Sequence, residues 1–247
     1  MSSQVQMAVP LTPMVKNLIV INVAVWVLAQ IILEGYLHVP VSQWLSLIPE
    51  NFLFRFALWQ PFSYMFLHAL NLTHILFNML MLWMFGSELE LRWGPRFFLS
   101  YYFFSGVGAA VLYALILLVY GVVTGSALDL MVPVMGASGA IFGLLVAYWV
   151  LFGERIIYFM MMFPMKAKYM VMMAAGFEIL GLLLSGITGT EVAYLVHITG
   201  LISGFLFLRT WTFFQQNRWR WKGTKKKLRL VVDNEKRWNG KSPRYWN

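Results

Sequence analysis

Cysteine is absent from the 247 residues, which excludes disulfides, thiolate metal sites and cysteine nucleophiles. Charge is scarce: 12% of the residues are Asp, Glu, Lys or Arg, against 60% hydrophobic residues and a mean hydropathy of +0.68. Soluble domains carry about 25% charged residues, so this composition excludes an ordinary soluble globular protein and reads as an integral membrane protein. No internal repeat and no low-complexity tract is present, which leaves an inverted-repeat transporter without support. Six spans with short loops use nearly all of the length, leaving no room for a separate folded soluble domain.

Negative charge is the rarer sign, with 10 acidic residues against 19 basic ones for a net +9. Of the basic residues, 11 lie in 217–247, including Lys225-Lys226-Lys227. Nucleic acid is one reading of such a run. A basic segment after a final span is also what the positive-inside rule predicts, so the expected partner is anionic lipid and no nucleic acid. Trp219, Trp221 and Trp238, interleaved with the basic residues, suit the same interfacial seat.

Apolar runs place spans at 18–33, 61–85, 97–120, 138–152, 169–187 and 192–214, all helices because a lone span must satisfy its own backbone. The expected organisation is a short cytoplasmic N-terminus at 1–16, a six-helix membrane core at 17–215 and a basic cytoplasmic tail at 216–247. With both termini inside, Lys16, Arg92, Arg96, Arg155, Lys166 and Lys168 share one side with the tail, and Arg55 alone falls in an outer loop. A cleaved signal peptide is the rival for the first span. Its n-region has only Lys16, and the apolar run continues through Ile31, Ile32 and Leu33 beyond the candidate cleavage site. The outer loop 34–60, with Trp44 and Phe52-Leu53-Phe54, is expected to be structured and to dip into the interface.

Polar groups inside hydrocarbon are costly and mark function. The fourth span has 15 residues from Ser138, roughly 22 Å of helix against a hydrocarbon core of about 30 Å, so it starts below the outer surface. Ser138, in Gly136-Ala137-Ser138-Gly139 after Pro133, sits in its first turn. There the helix N-terminus aims free N–H groups where an oxyanion forms during acyl transfer.

In the sixth span His197, Gly200 and Gly204 fall on one face, and Gly139 and Gly143 lie one turn apart in the fourth. Close approach of these stripes would bring His197 to Ser138 as general base, and a valine at Gly143 is expected to push the two spans apart. His74 and Asn78, at i and i+4 in the second span, can donate to a tetrahedral oxyanion beside the Ser138 N–H. A zinc site from His68, His74 and His197 is the competing use. It lacks an HExxH motif, and the only carboxylates near the outer ends are Glu191 and Asp129 in loops, so no metal or cofactor is expected. Glu178, in the middle of the fifth span, is expected to face the bundle or a watery pocket and is given no part in the chemistry.

His74-Ile-Leu-Phe-Asn78, Gly136-Ala137-Ser138-Gly139 and His197-Ile-Thr-Gly200-Leu-Ile-Ser-Gly204, with Glu90-Leu91-Arg92-Trp93-Gly94, resemble the rhomboid intramembrane serine proteases in order and spacing over about 59–207. The resemblance implies an all-α, polytopic six-helix rhomboid-like bundle in a bacterial cytoplasmic membrane. It implies a serine endopeptidase that cuts transmembrane segments of other proteins, which enter between the second and fifth spans. It also implies a Ser138–His197 dyad without an acid, with Asn78 and His74 assisting the oxyanion and Glu90 and Arg92 holding an inner turn. Phe142 stands where many relatives have tyrosine, which leaves the orientation of His197 to packing. The alternative is a catalytically inactive rhomboid-like protein that binds membrane proteins for quality control; such relatives lack the serine or the histidine, and this chain has both.

Overall fold

The computed structural model describes residues 10–125, 128–159, 163–185 and 193–221. The chain divides into two units, Met1–Trp211 and Thr212–Asn247, and the helical bundle is the first of them. Most of the basic tail, like residues 1–9, lies outside the described residues.

Helix α1 runs over Pro13–Tyr36, and short helices α2 (Val41–Leu45) and α3 (Pro49–Phe54) build the outer loop. A single turn α4 (Gln60–Ser63) precedes α5 (Leu72–Trp93) and α6 (Pro95–Thr124). Helix α7 (Ser138–Phe152) leads into strands β1 (Ile156–Phe159) and β2 (Phe163–Lys166), then α8 (Ala167–Ser185) and α9 (Ala193–Trp221). Among the described residues α1, α5, α6, α8 and α9 are long and apolar enough to cross a membrane, and α7 is a shorter apolar helix. The chain is thus a multi-pass helical membrane protein.

The fourth span keeps its expected bounds, but the second does not begin at 61. Residues Gln60–Phe66 form the α4 turn and a 3₁₀ turn, and Leu67 is extended. The membrane helix starts only at Leu72, where the Asn71 carboxamide caps it by accepting from the Thr73 N–H. The apolar run from 61 is therefore buried turn rather than span: Tyr64, Met65 and Leu67 are fully buried. Their hydrophobicity serves the protein core rather than lipid. Strands β1 and β2 pair antiparallel between α7 and α8, where the apolar runs alone imply only a connection.

Helix α7 is apolar all round, as a helix enclosed by others must be. From Gly139 to Tyr148 only Phe142 is not fully buried. Small residues let its neighbours close in: a Cβ on Gly200 of α9 would lie 2.2 Å from the Gly139 carbonyl oxygen, and one on Gly204 2.7 Å from the Gly143 Cα. Gly143 meets α9 through its backbone, as expected, but the space a side chain would need there lies toward α6. A Cβ there would meet Ser105 of α6 at 2.4 Å, while the Gly200 oxygen is 3.5 Å away. Hydroxyls lock the same core. Tyr101 donates to the Gly143 carbonyl (2.7 Å), Tyr64 to that of Gly106 (2.7 Å) and Thr199 to that of Ala109 (3.0 Å).

At the end of the bundle away from Ser138, Glu90 accepts from the Thr12 hydroxyl (2.5 Å) and from the Met14 (3.1 Å) and Val15 (3.0 Å) N–H groups. A carboxylate on the open N–H groups at the start of α1 neutralises the positive end of that helix. Arg92 is exposed. Beside the hairpin, Lys166 and Lys168 pair with Glu154 and hold its carboxyl at about 2, below the ordinary 4.5.

Candidate active site

Backbone geometry sets Ser138 at the mouth of α7. Gly136 adopts φ +136°, a conformation open to glycine and strained for other residues, and its N–H is held by the Tyr64 carbonyl (2.9 Å). Across the same approach, Val134 and Leu47 exchange two backbone hydrogen bonds (2.8 and 2.9 Å), tying it to the outer loop. The earliest α-helical bond runs from the Ile141 N–H to the Ala137 carbonyl. The N–H groups of Ser138, Gly139 and Ala140 therefore precede the helical ladder, at the positive end of its dipole.

The glycine crossing of α7 and α9 sets the next distance: Ser138 Oγ lies 2.8 Å from His197 Nε2. Phe142, one turn after the serine, stacks on the imidazole with ring centroids 4.3 Å apart and planes 11° from parallel. This is the packing contact expected of a ring that lacks the tyrosine hydroxyl. On the far side of the imidazole, Glu178 Oε2 of α8 lies 2.9 Å from Nδ1, with both side chains largely buried. Glu178 thus faces the bundle, and its neighbour there is the one intramembrane histidine of α9. A mid-span carboxylate signals a polar partner; the signal was legible in the sequence, and the identity of the partner was not.

His74 reaches the site from α5. Its Nδ1 accepts from the Ala69 N–H (3.1 Å), so in the neutral ring the proton is on Nε2. That nitrogen borders Gly136, where an added Cβ would lie 3.3 Å from it and 3.5 Å from Ser138 Oγ. His74 Nε2–H and the serine hydroxyl therefore flank one glycine. Asn78 is buried one turn below; its Nδ2 donates to the His74 carbonyl (2.8 Å) and its Oδ1 has no hydrogen-bond partner among the described residues. Asn78 makes no hydrogen bond to Ser138 or His197, so the resting structure brings Ser138, His197 and His74 together and leaves Asn78 beside them.

His68 is fully buried. Gln30, in a π-helical stretch of α1 (Trp26–Tyr36), holds both its backbone N–H (2.8 Å) and its carbonyl (2.5 Å). Its ring lies 5.4 Å from that of His74. Among the described residues no three His, Asp or Glu side chains gather as metal ligands.

Chemically, a hydroxyl on an imidazole whose far nitrogen faces a carboxylate can lose its proton, and N–H donors nearby can receive the negative oxygen that an attack creates. An apolar gap of about 500 Å³ opens between α5 and α8, lined by Met81, Met84, Met170, Met173 and Phe177 and ending at Glu178.

The family model of the Rhomboid domain matches residues 55–215. The chain is 29% identical over 201 residues to "Rhomboid protease GlpG" of Yersinia enterocolitica, and 31% identical over 199 residues to the protein of the same name from Pectobacterium atrosepticum. Each match covers 78% of this chain and 61% of the relative, so the chain spans about three fifths of the length of these relatives.

Proposed function

The chain belongs to the rhomboid family, and on that premise we propose that it is an intramembrane serine endopeptidase that cuts transmembrane segments of other membrane proteins. The observation that carries this reading is the 2.8 Å contact between Ser138 Oγ and His197 Nε2 at the start of a helix too short to span the bilayer. Ser138 attacks the scissile carbonyl. His197 takes the serine proton and returns it to the leaving amine. The oxyanion is held by the Ser138 N–H, by His74 Nε2–H and by Asn78, whose Nδ2 has a second N–H beyond the one given to His74.

The substrate helix enters through the gap between α5 and α8. Methionine side chains there are flexible and polarisable, and can repack around an unwinding segment. Both termini lie on the cytoplasmic side of a bacterial inner membrane, where the basic tail meets anionic headgroups. The test uses the purified full-length chain in detergent with a reporter transmembrane substrate, beside Ser138→Ala and His197→Ala. Cleavage by wild type alone, with Ser138 labelled by a fluorophosphonate, is the expected result. Cleavage by either variant removes the dyad, and a wild type that binds the reporter without cutting it points to an inactive, binding relative.

A further inference from the structure

Glu90 and Glu178, one buried and one largely so, are carboxylates of the bundle that are treated differently. Glu90 is satisfied by a hydroxyl and two backbone N–H groups, as a structural carboxylate should be. Glu178, 14% exposed in the middle of a membrane helix, has a single polar contact among the described residues, the Nδ1 of His197 at 2.9 Å. That contact is at ion-pair distance without hydrogen-bond alignment. Resting active sites often show such loose alignment, which tightens once substrate is bound. A mid-membrane carboxylate with its binding capacity unspent is costly unless a charge develops beside it.

We propose that Glu178 is a positioning residue for His197, so that Ser138, His197 and Glu178 work as a triad rather than a dyad. The proposal rests on the reading of Ser138 and His197 given above. With its Nδ1–H directed at Glu178, the imidazole presents the Nε2 lone pair to the serine hydroxyl. As Oγ bonds to the carbonyl carbon, its proton passes to Nε2, leaving an imidazolium and a negative tetrahedral oxygen. The ionised Glu178 carboxylate stabilises that imidazolium through Nδ1–H and is not itself protonated. When the C–N bond breaks, the Nε2 proton goes to the leaving nitrogen and the ring is neutral again. Phe142 fixes the plane of the ring, and Glu178 fixes which nitrogen carries the proton. The other titratable groups near this pair are His74 from α5, which borders Gly136 beside Ser138, and Tyr158 of β1, which lines the same gap as Glu178.

The test compares Glu178→Gln, Glu178→Ala and Glu178→Asp with wild type and Ser138→Ala, all full length in detergent, measuring kcat, KM, the pH profile of kcat/KM and the melting temperature. Glu178→Gln is expected to lower kcat by about 10- to 100-fold with KM little changed. Loss of the negative charge makes the imidazolium harder to form, so the acid limb of the profile moves to lower pH, and Glu178→Asp moves it part of the way back. An unmoved acid limb overturns the proposal, whether kcat is unchanged or falls together with melting temperature. A raised KM at constant kcat also overturns it, because Glu178 would then be holding substrate. In each of these cases an inactive Ser138→Ala leaves the dyad standing, whereas an active Ser138→Ala removes the underlying reading. Should the variants not fold, ¹⁵N NMR of histidine-labelled wild type, with the His197 signal identified against His197→Gln, still decides. The neutral Nδ1–H tautomer is expected, and an Nε2–H tautomer overturns the triad.

Discussion

The crossing of α7 with α9 and the facing of α5 with α8 are opposite solutions to packing helices side by side. At the first, glycines bring backbone onto backbone, so that a Cβ on Gly200 would sit 2.2 Å from a carbonyl oxygen. At the second, methionine and phenylalanine line a gap of about 500 Å³. Close packing transmits every displacement, which suits a serine–histidine distance that loses its use within an ångström. Loose packing by flexible side chains admits displacement at little cost, which suits the proposed parting of this face for a substrate helix. Under the proposed function, the chemistry and the access to it would fall to separate helix pairs, joined at Glu178, which touches both.

Gly200→Val should have the largest effect. With a neighbouring backbone at 2.2 Å there is no side chain to move aside, so the variant is expected to lose cleavage and at least about 3 kcal/mol of stability. Thermal denaturation and reporter cleavage measure both, and an active Gly200→Val would break the comparison at its tight end. His74→Ala and Asn78→Ala should each lower kcat by about 10²–10³ if one oxyanion donor is lost, with melting unchanged for the partly exposed His74. Since Asn78 contacts neither Ser138 nor His197 at rest, an unaltered rate for Asn78→Ala would assign it to packing alone.

Gly143→Ala strains α7 against Ser105 of α6 rather than against α9, so it should cost about 1–3 kcal/mol while leaving more activity per folded molecule than Gly200→Val. Met84→Ala combined with Met173→Ala removes bulk from a gap that is already unfilled. Its rate should stay within about tenfold of wild type, and a full loss would show that these side chains form the site itself. The smallest effect belongs to Glu154→Gln, which removes an exposed pair at the hairpin. Because pairing depresses the Glu154 pKa, the stability it gives is present above 4.5 and fades as pH falls through about 2. Wild type and variant should therefore melt within error of each other at pH 7 and converge fully in acid.

Much of this arrangement was legible in the chain. A serine opening a 15-residue apolar span, a histidine on a glycine stripe, and His74 with Asn78 one turn apart are local patterns, fixed by helical periodicity and by the cost of polar groups in hydrocarbon. The start of α5 is not legible in the sequence, because hydropathy does not distinguish a residue buried against protein from one facing lipid: Tyr64, Met65 and Leu67 look like span and are core. Ile156-Ile157-Tyr158-Phe159 is a β-branched and aromatic run, but beside a membrane span its apolar residues fit an interfacial loop equally well, so the β1–β2 pairing is decided by the tertiary structure.

By itself, the sequence determined that the chain lives in a membrane, that it is built from apolar helices, and which polar side chains those helices carry, because each of these follows from composition and from spacing along one helix. Only the tertiary structure decided which side chains meet. That Gly200 abuts Gly139, that Gly143 abuts Ser105, and that Glu178 of α8 closes on the Nδ1 of His197 of α9 are contacts between helices. Such contacts depend on crossing angle and rotation, and these are set by the fit of whole surfaces rather than by the order of residues in any one segment.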